Sequence, residues 1–154
     1  MRRMVIDYTE RYYLPAADQG KLYHGEDFAV AKEMVKWRNT MRSQWQNVRV
    51  ELSTLPSPTV TVGDPLQIQA KVWLYGIPAT DVVVELVTGD QKSNGELAHS
   101  IVLPMTQMAQ NSNVLTYAVT FTPDRSGPLA IGVRVRPIRP SQIHPIEPGL
   151  IQWA

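Results

Sequence analysis

The sequence predicts a mainly β protein, an antiparallel β-sandwich preceded by two α-helices. The hydrophobic period changes from about 3.6 residues to 2 near position 47, which marks a change from helix to strand. Short alternating segments separated by turn residues then follow. Proline supports the same boundary, because Pro15 is the only proline up to residue 52 and the other eleven lie beyond it.

Composition bounds the class of protein. The 154 residues are 44% hydrophobic and 19% charged with a formal net charge of +1, as is typical of a folded domain. The near-neutral balance gives no reason to expect nucleic acid as a partner. No stretch approaches the roughly 20 apolar residues that span a bilayer, so no membrane contact is expected. The chain has no cysteine, which excludes a disulfide scaffold and fits a cytoplasmic location.

Residues 1–14 are predicted to form the first helix, because apolar residues recur there at spacings of three and four and share one face. Pro15 is expected to end this helix, since a proline disfavours helical geometry at the residue before it. Residues 16–25 are then expected to form a loop. The apolar face consists of Met1, Met4, Val5, Tyr8 and Tyr12.

The second helix is predicted to begin near Glu26 and Asp27, since acidic residues suit a helix N-terminus. It is expected to run to about Gln46. Its buried face should pack on the sandwich, which is the nearest apolar surface. That face consists of Val30, Met34, Trp37, Met41, Trp45 and Val48.

Seven strands of period 2 are predicted after the helices, with glycine, proline, aspartate or asparagine at the turns between them. Regular short strands of this kind indicate an immunoglobulin-like antiparallel sandwich. The proposed division is a helical segment over 1–46 and a sandwich with a proline-rich C-terminal tail over 47–154. The predicted strands cover residues 48–52, 59–62, 66–74, 82–86, 97–103, 115–121 and 129–135.

The sequence offers no local catalytic or metal-binding signature. His24, His99 and His144 are far apart, and none has a second ligand at a spacing that a metal site uses. No nucleophile elbow occurs, and the nine glycines are dispersed rather than clustered in a phosphate-binding loop. We therefore assign no catalytic, cofactor-binding or metal-binding residue.

Two pairs of residues are candidate ligand contacts. Trp73 and Tyr75 lie on the outward face of a strand, where aromatic rings could stack on sugar rings; burial beneath the second helix is the favoured interpretation. Arg134 and Arg136 share a strand face and could contact an anion or glucan hydroxyls. For these two, a solvated or salt-bridged face is favoured.

The first helix poses a separate problem, because its apolar face has no obvious partner in so short a chain. An isolated helix of about 14 residues is marginal in water. The helix therefore packs on the sandwich, pairs with a second copy, or belongs to a larger protein. Its candidate interface residues are Met1, Met4, Tyr8 and Tyr12.

The specific residues at the two ends of the chain are Met1–Val5, Tyr8 and Tyr12–Pro15 at the start and Pro145 and Gly149–Ala154 at the end. With them, the chain resembles one family, the bacterial and archaeal α-glucan (glycogen/maltodextrin) phosphorylases. The N-terminal segment is similar to the helix that closes their catalytic region, and the last residues are similar to their C-terminus, which commonly ends in Trp-Ala. The middle of the chain is similar to their late strands. The matching residues are Met1–Val5, Tyr8, Tyr12–Pro15, Trp37, Trp45, Val48–Val50, Asp81–Leu86, Phe121–Pro123, Ser126–Gly127, Gly132–Val135, Pro137, Pro145 and Gly149–Ala154.

The resemblance implies that the chain is a non-catalytic C-terminal portion of such an enzyme, with residues 1–46 as a remnant of the helices of the catalytic region. Family members transfer a glucosyl unit from an α-1,4-glucan to phosphate with pyridoxal phosphate bound to a lysine. None of the five lysines here has the Gly/Thr-rich Met-Lys context of that lysine. We therefore expect no cofactor and no phosphorylase activity from this chain alone, whether it is a natural short product or a piece of the enzyme.

The implied partners are the catalytic lobes of the parent enzyme, or a second copy through the first helix. An α-glucan is a further candidate partner. Two alternative functions stay open at this point. One is a stand-alone carbohydrate-binding sandwich, which predicts exposed Trp73 and Tyr75. The other is an assembly module that works through its helices and predicts a dimer.

Overall fold

The structure is a computed structural model of the chain. It describes residues 2–53, 59–92, 94, 96–142, 144 and 148–154. Its helices precede two antiparallel four-stranded sheets. This arrangement confirms the prediction of a mainly β fold in which helices precede a β-sandwich.

The first helical stretch does not end at Pro15, so the predicted boundary and the loop over 16–25 are wrong. Helix α1 (Arg2–Tyr8) passes through a π-helical turn (Thr9–Tyr13) into helix α2 (Leu14–His24). The Leu14 amide donates to the Thr9 carbonyl, five residues back. Pro15 then falls in the first turn of α2, where its missing N–H costs little.

The second helical stretch starts later than predicted. Helix α3 (Ala29–Gln44) follows a 3-10 turn (Glu26–Phe28) in which three consecutive residues have positive φ angles of 48°, 53° and 61°. This left-handed turn reverses the chain between α2 and α3. A second 3-10 turn (Trp45–Asn47) closes the helix and leads into the first strand.

Two antiparallel sheets make up the sandwich. Strands order as β1-β2-β6-β5 in the first sheet and as β4-β3-β7-β8 in the second. The chain crosses from the second sheet to the first at Met105, between β4 and β5. The strands are β1 (Arg49–Leu52), β2 (Leu66–Trp73), β3 (Val82–Gln91), β4 (Leu97–Pro104), β5 (Thr106–Asn111), β6 (Val114–Phe121), β7 (Leu129–Pro137) and β8 (Gln152–Trp153).

The strand predictions fail at three places. Residues 59–62 form a turn rather than a strand, because the Gly63 amide bonds to the Pro123 carbonyl and the Asp64 amide to that of Thr61. Strand β5 is absent from the prediction, since its six residues are all exposed and carry no apolar alternation. The prediction has no strand in the C-terminal tail, whereas Gln152–Trp153 form β8 and pair with β7.

The core lies between the sheets and extends to the inner face of α3. Fully buried residues from both sheets and from the helix meet there, so the helix shares the hydrophobic core of the sandwich. Gly89 permits a β-bulge between β3 and β4, because a Cβ there would lie 2.8 Å from the Ala98 carbonyl oxygen. The largest fully buried apolar side chains are Met41, Ile68, Leu86, Val48, Val72, Val84, Val133 and Val135.

Candidate functional site

Polar contacts around one tryptophan fix α3 to the sandwich. The Trp37 Nε1 donates a hydrogen bond of 3.1 Å to Asp81 Oδ2, in the turn before β3. Arg139 lies 3.7 Å from the same carboxylate, pairs with Glu33 of the helix, and places its guanidinium carbon 5.8 Å from the Trp37 ring centroid. Because these residues come from three separate segments, the helix has one defined position on the sandwich.

Two further contacts join both helical stretches to the segment after β7. The Tyr23 hydroxyl of α2 donates to the Ser141 carbonyl oxygen at 2.6 Å. The Ser141 hydroxyl in turn lies 2.9 Å from Met34 Sδ of α3. The segment that follows β7 therefore holds the end of α2 and the start of α3 against the sandwich.

The beginning of the first helical stretch lies on the surface. Met4, Tyr8 and Tyr12 are 56%, 50% and 62% exposed. The rings of Tyr8 and Tyr12 lie with their centroids 5.6 Å apart. Met1, the fourth residue of the candidate interface, lies outside the described residues. The apolar face predicted from the sequence is thus exposed in this chain, and its burial by a partner stays a prediction.

An open groove of about 800 Å³ lies beside this helix. Tyr12 and Tyr23 contribute aromatic surface to it, and Arg11, His24 and His144 contribute polar groups. Tyr12 belongs both to the groove and to the exposed apolar face. The two features therefore form one surface that extends from α1 to the end of α2.

A buried charge cluster lies on the outer face of the second sheet. Glu85, in the central strand β3, is 6% exposed. Arg134 Nε donates to its Oε2 at 2.8 Å, and Arg136 Nη2 donates to its Oε1 at 2.7 Å. Burial acts to raise the pKa of Glu85, but the hydrogen bonds and charges of Arg136 and Arg134 outweigh it and hold that pKa below its ordinary value.

The two arginines are therefore salt-bridged, which is one of the two arrangements that the sequence favours. Their side chains are 20% and 13% exposed, so both are mostly enclosed. The contact of Arg134 and Arg136 with an external anion stays a prediction. An anion would have to compete with Glu85, which is already charged and in place.

The C-terminal strand places Trp153 beside this cluster. Strand β8 pairs Trp153 with Arg134 of β7, and the Arg134 guanidinium carbon lies 5.8 Å from the indole centroid. The six-membered ring lies over Gly132, where a Cβ would come 3.3 Å from Trp153 Cζ3. The absence of a Cβ at Gly132 lets the ring approach the sheet this closely, because an added Cβ would require the ring to shift by a few tenths of an ångström.

The candidate aromatic pair of Trp73 and Tyr75 lies at the end of β2 in the first sheet. Trp73 ends β2 and is half-buried between Arg49 of β1 and Val114 of β6. Tyr75 follows in a turn with a positive φ of 46° and is 55% exposed. The favoured expectation that the second helix covers both rings is therefore wrong for Tyr75. Sugar stacking by Trp73 and Tyr75 stays a prediction.

Residues that could hold a metal or a cofactor are dispersed. His99 Nδ1 lies 2.9 Å from Asp90 Oδ2 on the surface. Across the described ranges, no three histidine or acidic residues group closely enough to hold a metal ion. A lysine that forms a Schiff base needs a desolvated pocket. The lysines here do not fit that requirement, since all are exposed: Lys21, Lys32, Lys36, Lys71 and Lys92.

Membrane insertion finds no support among the helices that the structure describes. None of them is both long enough and apolar enough to cross a bilayer.

Sequence reasoning missed Glu85, Asp81 and Trp153 as functional or anchoring residues. The sequence could have identified Glu85, because it is a carboxylate within a predicted apolar strand. Such a group needs a cationic partner when it is buried. No sequence pattern identifies Asp81, since its partner Trp37 is 44 positions away. Trp153 lies in a strand of two residues, which is too short to show a period.

The fold and these surfaces define a class of protein, a small β-sandwich domain whose helical extension presents apolar side chains. The model of one protein family, described as the glycogen phosphorylase C-terminal domain, matches residues 45–154. The chain therefore belongs to the glycogen phosphorylase C-terminal domain family.

Curated relatives agree with this assignment. Glycogen phosphorylases of Mycobacterium bovis (strain ATCC BAA-935 / AF2122/97) and Mycobacterium tuberculosis (strains CDC 1551 / Oshkosh and ATCC 25618 / H37Rv) are 31% identical over 156 aligned residues. The alignments cover 99% of this chain and 18% of each relative. The helices, which precede the start of the family match at residue 45, are thus included in the similarity.

Proposed function

We propose that this chain is the non-catalytic C-terminal portion of an α-glucan phosphorylase and that it braces the catalytic lobes or a subunit contact of that enzyme. The family match is the observation that carries the proposal. The parent enzyme would be a cytoplasmic, pyridoxal phosphate-dependent glycosyltransferase that releases glucose 1-phosphate from α-1,4-glucans. The chain itself would hold no cofactor, and its exposed lysines support that part of the proposal.

The proposed organisation is a helical segment over 1–46 and an immunoglobulin-like sandwich over 47–154. Support comes from the antiparallel pairing within both sheets and from the change to extended backbone at Val48. The helical segment would then connect the sandwich to the catalytic lobes.

A brace needs a firm attachment at one end and a free contact surface at the other. The attachment is the set of contacts of Trp37 and Arg139 with Asp81. The free surface is the exposed face of α1 and the following π-helical turn, with Tyr8 and Tyr12. The proposed contact follows from this asymmetry, because apolar surface of this extent is normally covered by another part of a protein.

Unpaired polar atoms in and around the helices add support. Buried side-chain nitrogen and oxygen atoms are normally hydrogen-bonded. Within the described ranges, the buried side-chain atoms that have no hydrogen-bond partner lie in the helices, in the turn after α3 and in the segment after β7. None of them lies in a strand. Rearrangement on contact with a partner would allow them to pair. The atoms are Gln19 Oε1, Arg38 Nε, Gln44 Oε1, Trp45 Nε1 and Gln142 Nε2.

An activity assay tests the non-catalytic role. The purified chain is incubated with maltodextrin, phosphate and added pyridoxal phosphate, and release of glucose 1-phosphate is measured. We expect none above the rate without protein. Release that scales with the concentration of the chain would overturn the proposal.

A double substitution tests the bracing role. Tyr8→Ala with Tyr12→Ala is made in a phosphorylase that carries this segment, with Met108→Ala as the control because Met108 is exposed on the edge strand β5. We expect the double variant to lower the melting temperature of the enzyme and the control to leave it unchanged. Equal melting temperatures for all three proteins would contradict docking through this face.

The exposed ring pair also favours a second candidate function, self-association through the first helix. This candidate predicts that the isolated chain forms a dimer that Tyr8→Ala with Tyr12→Ala dissociates. Light scattering across a range of concentrations measures the mass. A monomer at high concentration removes this candidate and leaves the bracing role intact.

A further inference from the structure

The outer face of the second sheet carries a row of side chains that runs across three strands. Glu85 of β3 is in register with Arg134 of β7, and Arg134 is in register with Trp153 of β8. Side chains in register on adjacent strands lie on the same face of a sheet. The carboxylate, the guanidinium and the indole therefore form one row.

The indole is fixed on one side and open on the other. Its six-membered ring lies over Gly132, and strand β8 is held by the hydrogen bond from the Ala154 amide to the Val133 carbonyl at 3.0 Å. Trp153 is nevertheless 47% exposed. An indole that rests on a sheet in this way loses little freedom when a ligand covers its open side.

Arg134 is oriented but has hydrogen-bonding capacity to spare. Its Nε donates to Glu85 Oε2 at 2.8 Å. The described part of the chain supplies no hydrogen-bond partner to its two terminal nitrogens, and neither is a buried, unpaired atom. Arg136 supplies the second guanidinium to Glu85, so the carboxylate does not depend on Arg134 alone. The terminal nitrogens of Arg134 can therefore donate to a ligand.

We infer that Trp153 and Arg134 form a binding subsite for one glucosyl unit of an α-1,4-glucan. A pyranose ring has an apolar C–H face that stacks on an indole, and hydroxyl groups at its edge that accept hydrogen bonds. The Trp153 indole can stack on the apolar face, and the adjacent Arg134 guanidinium can donate to the hydroxyl groups. The identification of the sugar as an α-glucan rests on the proposed function.

A protein partner fits this face less well. A stable protein–protein interface buries about 800 Å² on each side. The exposed apolar side chains in register with the row or beside it are Trp153, Val102 and Pro104, whereas Val87 and Glu85 are buried. That area is small for a protein interface and sufficient for a sugar ring. The site also lies on the sheet that does not carry Trp73.

Affinity electrophoresis of the whole chain in gels with and without glycogen tests the inference, together with calorimetric titration with maltoheptaose. Trp153→Ala should weaken binding about tenfold or more, as expected from the loss of one stacking contact. Trp153→Phe should restore part of the affinity. Arg134→Lys should weaken binding several-fold, because a lysine lacks the planar donor pair.

Two control variants on the first sheet show whether a loss of binding is specific to the row of Trp153 and Arg134. Met108→Ala removes an exposed apolar side chain and should bind as the wild type does. Tyr75→Ala tests the other aromatic candidate and should also bind normally. Thermal unfolding of each variant verifies that the sandwich is intact. Gly132→Ala adds a Cβ 3.3 Å from Trp153 Cζ3, so the indole has to shift slightly, and binding should weaken less than in Trp153→Ala.

The inference is overturned if the wild-type chain is not retarded by glycogen and gives no heat with maltoheptaose. It is equally overturned if Trp153→Ala binds as tightly as the wild type, or if Tyr75→Ala alone abolishes binding. If this face contacts protein and not sugar, one of the first two results is expected. None of these outcomes affects the bracing role, which is tested on Tyr8 and Tyr12.

Discussion

The two helical stretches have similar sequence patterns and different environments. Helix α3 buries Met34, Trp37 and Met41 against the sandwich. The stretch that begins with α1 leaves Met4 and Tyr12 exposed, although its apolar residues recur at the same spacings. Local periodicity shows which side of a helix is apolar, but it does not show what covers that side.

The difference lies in contacts that are distant in the sequence. Helix α3 has Asp81 and Arg139 as polar partners, 44 and 106 positions from Trp37 and Glu33 respectively. The first helical stretch contacts a distant part of the sequence only near the end of α2, where the Tyr23 hydroxyl donates to the Ser141 carbonyl. A helix is therefore fixed in this protein where the sandwich supplies a partner for a polar atom as well as apolar surface.

Truncating a buried residue of α3 should have the largest effect on stability. Met41 is 1% exposed, so Met41→Ala should lower the free energy of unfolding by about 2–5 kcal/mol, through lost burial and the cavity left behind. Val35→Ala on the same helix is the matched control, because Val35 is 47% exposed. Urea denaturation measures both. Equal losses would show that α3 is not fixed as described.

Removing the buried carboxylate should have the next largest effect. Glu85→Gln leaves Arg134 and Arg136 without their counter-charge and should cost about 2 kcal/mol at pH 7. The same experiment with Asp18→Asn is the control, because the Lys21–Asp18 pair of α2 is exposed. The control should change stability by less than about 0.5 kcal/mol.

The contribution of Glu85 should also depend on pH. Because the folded-state pKa lies below the ordinary value of 4.5, the stabilisation is present above that value and is lost as the pH falls through the folded-state pKa. The difference in unfolding free energy between the wild type and Glu85→Gln should therefore shrink below pH 4.5. A difference that stays constant as the pH falls well below that value would contradict the assignment of the shift to this group.

Weakening the polar attachment of α3 should have a smaller effect. Asp81→Asn keeps an oxygen near Trp37 Nε1 but removes the charge that faces Arg139, so it should cost about 1 kcal/mol. Far-ultraviolet circular dichroism against temperature gives the shift of the unfolding midpoint. No shift would mean that apolar burial alone positions the helix.

Truncation on the first helical stretch should have the smallest effect. Tyr12→Ala should change the stability of this chain by less than about 0.5 kcal/mol, because Tyr12 is exposed. Amide hydrogen exchange should also be faster in α1 than in α3, because its hydrogen bonds have no packed surface around them. A loss within the range of about 2–5 kcal/mol that buried residues show would place Tyr12 in a packed interface of the isolated chain.

The sequence was sufficient for the regions where one face of an element is buried. Apolar residues recur at every second position in Leu66–Trp73 and Val114–Phe121, and both segments are strands in the structure. Prediction failed where tertiary contacts override local signals. Pro15 is accommodated by a π-helical turn, and the strand Thr106–Asn111 is determined by pairing with β6 rather than by its own composition.

The candidate sites were predictable to a smaller extent. The apolar face with Tyr8 and Tyr12 could be identified because helical spacing alone defines it. A salt bridge of Arg134 was among the expectations, but its partner Glu85 could not be identified, because the contact depends on a pairing of strands 49 positions apart. Trp153 also needed the structure, since only the approach of its ring to Gly132 shows that it lies along the sheet.

The π-helical turn at Thr9–Tyr13 has a geometric consequence for the whole first stretch. Such a turn accommodates one residue more than an α-helical turn, and one residue corresponds to about 100° of rotation around the axis. The angular positions of residues in α2 are therefore offset from those in α1. The helix can direct Tyr23 to Ser141 while α1 turns Met4 and Tyr8 in another direction. One continuous helical stretch thereby has two differently oriented faces, one that contacts the segment after β7 and one that is exposed.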